Sequence, residues 1–324
     1  MNEEMVDFVL GDGGHDETVK RYAPACDFES HRLWSGRYLK DDPDIIRKVL
    51  QDTLSSGTRM LLTYTYQTTV DNLQQHYNIT KKEALDIIKS SVSLCREAIE
   101  LARAAGMTRP IDVFGMIGPY GAFLHDGSEY AGGNYADNMT GQQLADWHRP
   151  RFDALIEAGC DYLIFATIPS LKEAEALISL LKEHPGMKAI VSFSAQNELT
   201  ISHGEKLSDV AQSCWQLASD QILAIGVNCL HPRLVEPLLR SVKEANPQIP
   251  LSVKTNTTET FNTETKQWES SGDPKTLAEY CRDWLHLGVK YISGCCRTSV
   301  QDIITLGEEI NKFIEKTKQT RQRK

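Results

Sequence analysis

Ala158-Gly159-Cys160-Asp161-Tyr162-Leu163-Ile164-Phe165-Ala166-Thr167-Ile168-Pro169-Ser170 is the stretch that decides the fold. It holds a short apolar run, Asp161–Ala166, between two longer amphipathic ones, Thr140–Ala158 and Ser170–Glu183. The connection into the strand is brief, and the segment leaving it is punctuated by Pro169. A short strand between two helical periods is the unit of an α/β chain.

The same alternation extends in both directions. Candidate strands are Val6–Leu10, Met60–Tyr64, Ile111–Ile117, Asp161–Ala166, Ala189–Phe193, Ile222–Val227, Pro250–Val253 and Val289–Ile292. Helical periods cover Asp44–Ser55, Thr80–Ala105, Thr140–Ala158, Ser170–Glu183, Leu207–Ala218, Pro232–Ala245, Pro274–Leu287 and Ser299–Glu315. Asp42-Pro43 is a helix start with proline in the first turn, and Thr80-Lys81-Lys82-Glu83 has the form of a capping box. Eight strands alternating with eight helices predict one (β/α)8 TIM barrel over residues 1–315, followed by a basic tail, 316–324, read as a frayed helix end. Two segments after strands are longer than ordinary connectors, Gly118 to Met139 and Lys254 to Asp273. In this architecture such segments form the catalytic face.

Composition narrows the function. At 324 residues and a net charge of −9, a phosphate-tracking, nucleic-acid-binding role is disfavoured. No run reaches the length of a membrane span. Met1–Met5 has neither the basic nor the apolar region of a secretory signal, so a cytoplasmic location is expected. Eight cysteines without small-scaffold spacing fit reduced thiols in that compartment.

Three of those cysteines stand apart. Cys229 closes the run Ile222–Val227 through Asn228, and Cys295-Cys296 close Val289–Ile292 through Ser293-Gly294. The sixth and eighth barrel strands would thus deliver thiols to one mouth, facing each other across it. Three thiolates suit zinc, leaving the fourth tetrahedral position for a substrate. Adjacent strand residues point to opposite faces, so both vicinal cysteines can serve one ion only if the strand ends in an irregular turn, which Gly294 would permit. The competing readings are ordinary buried thiols or a vicinal disulfide switch. A zinc with three thiolates is a poor Lewis acid for water, but it suits holding another thiol as its thiolate. Alkyl transfer to sulfur follows more naturally than hydrolysis.

Over nearly its whole length the chain resembles the zinc-dependent homocysteine S-methyltransferases, the S-methylmethionine-type enzymes related to betaine–homocysteine methyltransferase. The resemblance is carried by Asp12-Gly13-Gly14, Leu33-Trp34-Ser35, Thr65-Tyr66-Gln67, Gly118-Pro119-Tyr120-Gly121-Ala122, Asp126-Gly127-Ser128-Glu129-Tyr130, His148-Arg149-Pro150-Arg151, Gly226-Val227-Asn228-Cys229 and Gly294-Cys295-Cys296-Arg297-Thr298. It implies a zinc ion on Cys229, Cys295 and Cys296, and methyl transfer from a sulfonium donor such as S-methylmethionine or S-adenosylmethionine to homocysteine, forming methionine. The partners implied are small molecules, a thiol and a methyl donor. By the same resemblance Asp12 would pair with the amino group of homocysteine, though a turn residue before two glycines is an equal reading. Trp34 would face the cationic donor, an attraction worth roughly 0.5–2 kcal/mol. Tyr66 would approach the open zinc position, and Asn228 would orient the site from behind the metal cysteine. His148, inside a helix, is expected to make a structural hydrogen bond rather than act as a base.

The chain also departs from the family pattern. Ala166 stands where a Cys-Glu-Thr-(Leu or Ile)-Pro segment would place a glutamate for the amino group. That interaction is worth roughly 1.5–3 kcal/mol, some ten- to a hundredfold in affinity. His15-Asp16-Glu17-Thr18 and Lys254-Thr255-Asn256-Thr257-Thr258-Glu259 differ as well, the latter keeping only the asparagine and the glutamate of Tyr-Pro-Asn-Ser-Gly-Glu. Three readings follow: a homocysteine methyltransferase with a compensating carboxylate (Asp16, Glu17 or Glu259), a methyltransferase for another thiol or selenol, or a zinc-binding paralogue with weak or no activity.

Overall fold

Each apolar run becomes a parallel strand in the computed structural model, which describes residues 7–25, 31–132, 134–262 and 267–322. In chain order these are β1 (Val9–Leu10), β2 (Met60–Leu62), β3 (Asp112–Ile117), β4 (Tyr162–Ile168), β5 (Ala189–Phe193), β6 (Ile222–Asn228) and β7 (Leu251–Thr255). A separate antiparallel hairpin, β8 (Glu259–Asn262) and β9 (Gln267–Ser270), precedes β10 (Val289–Gly294), the eighth strand of the barrel. Hydrogen bonding runs β1-β10-β7-β6-β5-β4-β3-β2, and a parallel bridge from Gly11 to Met60 closes the ring. The fold is the expected (β/α)8 barrel. Val6, placed in the first candidate strand, and Cys26 lie outside the described residues.

The helices start where their caps dictate. Asp42 accepts from the Asp44 N–H and opens Pro43–Ser55. Capping boxes at Thr80/Glu83, Thr140/Gln143 and Thr276/Glu279 open Lys81–Ala104, Gly141–Glu157 and Leu277–Leu287. Each satisfies amide donors that a helix start leaves unpaired. Because Thr276 is the cap, Pro274 lies before the helix that was expected to contain it. Pro232–Ala245 divides into a 3-10 turn, Pro232–Leu234, and a helix, Val235–Ala245. The last helix, Val300–Gln322, runs on through residues 316–322 without a break.

Period-two alternation sorts the strands' side chains into two layers. On β4, Leu163 and Phe165 pack outward under the helices, while Ile164 and Ala166 point to the barrel axis beside Leu62, Phe114, Met116 and Tyr291. The inner layer fills the barrel, and the site lies above it. Of the two long segments, the first folds into short helices at Tyr120–Leu124, Ser128–Ala131 and Asn134–Asn138, and the second carries the hairpin. Among the described residues no helix is long and apolar enough to cross a membrane.

Candidate active site

The three strand-end cysteines converge. Their sulfurs all lie within 4.8 Å of one another, with Cys229 Sγ and Cys296 Sγ 3.4 Å apart. They do not meet across the mouth as the sixth and eighth strands alone suggest. In the sheet β7 lies between β6 and β10, and the thiols close over its end. The Cys229 N–H donates to Lys254 O at 2.9 Å and the Cys295 N–H to Thr255 O at 2.6 Å.

The irregular turn that both vicinal cysteines require is present, but Gly294 does not make it by adopting a left-handed backbone. Arg297 does, at φ +65°, and Cys229 holds φ +57° on the other side. Gly294 is needed for space: a Cβ there would come within 2.3 Å of Thr298 Oγ1. The turn is fixed by Thr298 Oγ1 donating to Cys295 O at 2.6 Å, and by the Cys296 N–H donating to Asn256 Oδ1 at 3.2 Å. Arg297 Nε donates to Glu259 Oε2 at 2.9 Å and its Nη1 to Glu17 at 3.2 Å. Asn256 and Glu259, the two residues the β7 segment keeps from the family pattern, thus both help to hold this turn.

An open cavity adjoins the thiols, lined by Trp34, Tyr66, Tyr130, Ala166 and Asn228 among others. Trp34 stands at φ +47°, its ring centroid 6.5 Å from that of Tyr66 and its indole N–H buried without a protein partner. Tyr66 lines the cavity with its hydroxyl buried and without a protein partner, and the Tyr130 hydroxyl lies 3.0 Å from Cys229 Sγ. Asn228 serves a strand end. Its Oδ1 accepts from the Thr167 N–H and its Nδ2 donates to Thr167 Oγ1, both at 2.7 Å, pinning a β-branched residue at φ +62°. Of six non-glycine residues with left-handed backbone among those described, Trp34, Thr167, Cys229 and Arg297 border this cavity. Such conformations cost about 1–3 kcal/mol each and gather at functional sites.

Asp12 is buried and does not itself line the cavity. Its Oδ2 accepts from His15 Nε2 at 3.0 Å and from the Leu62 N–H at 3.1 Å, and its Oδ1 faces Lys254 Nζ at 3.7 Å. Lys254 also donates to the carbonyls of Gly294 and Gly13. Hydrogen bonds from Cys229 and Cys296, with the Lys254 ammonium nearby, hold the Cys295 thiol well below its ordinary pKa, so negative charge concentrates there. Lys254, Tyr130 and Trp268, which reaches the cavity from β9, were not singled out from sequence. The signal available was their position in the two long segments and at an inward strand end.

His148 is buried in the helix Gly141–Glu157, away from the thiols. Its Nε2 donates to Glu173 Oε1 at 2.8 Å, because Nδ1 accepts from Arg151 at 3.2 Å. Arg151 in turn donates to the carbonyls of Thr65, Tyr66 and Gly118, at 3.2, 2.7 and 2.6 Å, tying the segments after β2 and β3 together.

A (β/α)8 barrel that gathers three thiols beside an open, aromatic cavity defines a metal-competent thiol site. The profile of the homocysteine S-methyltransferase family matches residues 9–310. The chain is 38% identical over 275 residues to homocysteine S-methyltransferase YbgG of Bacillus subtilis (strain 168), spanning 84% of this chain and 85% of that one. It is 34% identical over 296 residues to betaine-homocysteine S-methyltransferase of Drosophila melanogaster, 87% of each. The metallated form of the homocysteine methyltransferase MmuM from Escherichia coli matches with a TM-score of 0.79 at 31% identity, covering 93% of this chain and 96% of that one. The chain belongs to the homocysteine S-methyltransferase family and is a methyltransferase of that class.

Proposed function

We propose that this protein moves a methyl group from a sulfonium donor to the sulfur of homocysteine, forming methionine, at a zinc ion held by Cys229, Cys295 and Cys296. The observation that carries this is the sulfur cluster itself. Zn–S bonds of about 2.3 Å in a tetrahedron place sulfurs roughly 3.8 Å apart. The present spacing, from 3.4 Å to at most 4.8 Å, needs only small side-chain adjustments to match it. Zinc, when bound, would keep the acceptor sulfur deprotonated at neutral pH.

The chain's own residues orient and shield the transfer. The acceptor sulfur attacks the methyl carbon, the carbon–sulfur bond of the donor breaks, and its electron pair remains on the donor, which leaves as a neutral thioether. The thiol proton goes to solvent, so no general base is required, and His148 stays in its structural role. Trp34 offers an aromatic face to the cationic centre before its charge is lost. Lys254 offsets part of the negative charge gathered at the thiolates. Tyr130 and Tyr66 close the wall over the reacting atoms. Asp12, already engaged by His15 and facing Lys254, supports the amino-acid end from behind rather than supplying its counter-charge.

The donor panel tests this reading. Purified zinc-loaded protein is given homocysteine with S-methylmethionine, S-adenosylmethionine or betaine, and methionine is quantified by chromatography. Methionine from a sulfonium donor is the expected result. Turnover with betaine alone would contradict the donor assignment.

A further inference from the structure

The charged groups around the acceptor end of the cavity are not equally available. Asp12 is engaged by His15 and the Leu62 N–H, and its remaining oxygen faces Lys254 at 3.7 Å. Lys254 is buried and lines the cavity. The Asp12–Lys254 pair therefore presents no net charge, and an ammonium arriving above it meets a cation as well as an anion. Glu17 and Glu259 are engaged too. Both hold Arg297, at 3.2 and 2.9 Å, and Glu17 also holds Lys20 at 3.0 Å.

Asp16 differs from all three. It lines the cavity, half-buried, with the Ser35 side chain beside its carboxylate. Among the described residues it forms no ion pair. Burial lifts its pKa above the ordinary carboxylate value. A carboxylate withdrawn from water without a cation is unfavourable, and a cationic ligand group would relieve that. Its position is fixed by the turn before it. Gly14 packs so closely on the strand-end turn that a Cβ would come within 2.4 Å of the Cys295 carbonyl oxygen. The first turn of the helix His15–Lys20 then carries Asp16 to the wall beside the thiols. At the end of β4, by contrast, the inward residue is Ala166, which offers no polar group.

We infer that Asp16 is the counter-ion for the α-amino group of the thiol acceptor, and so the residue that makes this pocket select an amino acid. The inference rests on the acceptor reading given above. Negative charge for the head group is supplied from the helix after β1 rather than from the end of β4. The sulfonium donor is the competing cation, because Ser35, beside Asp16, is the chain neighbour of Trp34.

Calorimetric titration separates these cases without turnover. Zinc-loaded protein is titrated, with no donor present, with homocysteine and with 4-sulfanylbutanoate, the same thiol lacking its amino group. Wild type should bind homocysteine about tenfold tighter or more, the lower end expected for a charge-assisted hydrogen bond. Asp16→Asn, which keeps an acceptor for Ser35, and Asp16→Ala should reduce that preference to about twofold or less by weakening homocysteine alone. Zinc per chain and melting temperature should stay at wild-type values. If Asp16→Ala does not hold zinc, Asp16→Asn decides. A preference that survives substitution, a wild type that binds both thiols equally, or, in a separate titration with S-methylmethionine, weakening of the donor alone overturns the inference. Binding of neither thiol to zinc-loaded wild type would overturn the acceptor reading itself.

Discussion

Trp34, Thr167, Cys229 and Arg297 hold backbone conformations that side chains disfavour, and all four border the cavity. Trp34 is the one with the most direct consequence for a substrate. Trp34→Ala should raise the KM of the sulfonium donor by about three- to thirtyfold while moving that of the thiol little, since the ring quadrupole acts on the cation. Equal effects on both substrates would mean that the ring only packs. Replacing Cys229, Cys295 or Cys296 singly by alanine should remove most of the zinc, measured by atomic emission on purified protein. The barrel should persist, because its two apolar layers do not depend on the metal. Full zinc in all three variants would refute the ligand set.

Glu129 supplies a pH-dependent prediction. It is buried, one carboxylate oxygen has no hydrogen-bond partner, and burial raises its pKa from 4.5 to about 7. A carboxyl whose pKa is higher in the folded than in the unfolded state favours folding while protonated, and that stability is lost as pH rises from 4.5 through 7. By pH 8 the ionised group costs on the order of 3 kcal/mol. Glu129→Gln should therefore gain in melting temperature over wild type by several degrees more at pH 8 than at pH 5. A difference independent of pH would contradict this.

At the scale of elements, the interaction between the helices Gly141–Glu157 and Leu171–Lys182 supports the site from outside it. Glu173 is fully buried and accepts from His148, Tyr135 Oη at 2.8 Å and the Tyr120 N–H at 2.7 Å. Glu173→Ala leaves these donors without their acceptor and buried Arg151 without the nearby carboxylate charge, and should cost about 3–5 kcal/mol in urea denaturation. A loss under about 1 kcal/mol would show that the network is dispensable. How well elements could be read from sequence follows from their patterning. Strands such as Ala189–Phe193 were legible because apolar runs with short entries have one reading. The hairpin β8–β9 was not, because Thr, Asn and Glu dominate a segment that only cross-strand pairing makes regular. The Cys295-Cys296 turn was anticipated, but its left-handed residue proved to be Arg297, held by Glu259 and Glu17 from other segments.

At the scale of the whole molecule, the barrel was legible from eight repeats of one pattern. The thiol site was legible because two cysteine motifs close strands that the barrel brings to one mouth. What stayed hidden depends on long-range pairing. Lys254 and Asp12 are distant in the chain, and nothing in either segment shows that the ends of β7, β10 and β1 meet there. Tyr130 lies in a segment identified as a binding loop, yet only its folded path brings the hydroxyl to Cys229. The central claim, methyl transfer to homocysteine at a three-thiolate zinc, is tested most directly by removing and restoring the metal. Methionine formation from homocysteine and S-methylmethionine should accompany one zinc per chain, fall to background when a chelator strips it, and return with one equivalent of zinc. Undiminished turnover by stripped protein, or no methionine from fully loaded protein, would contradict it.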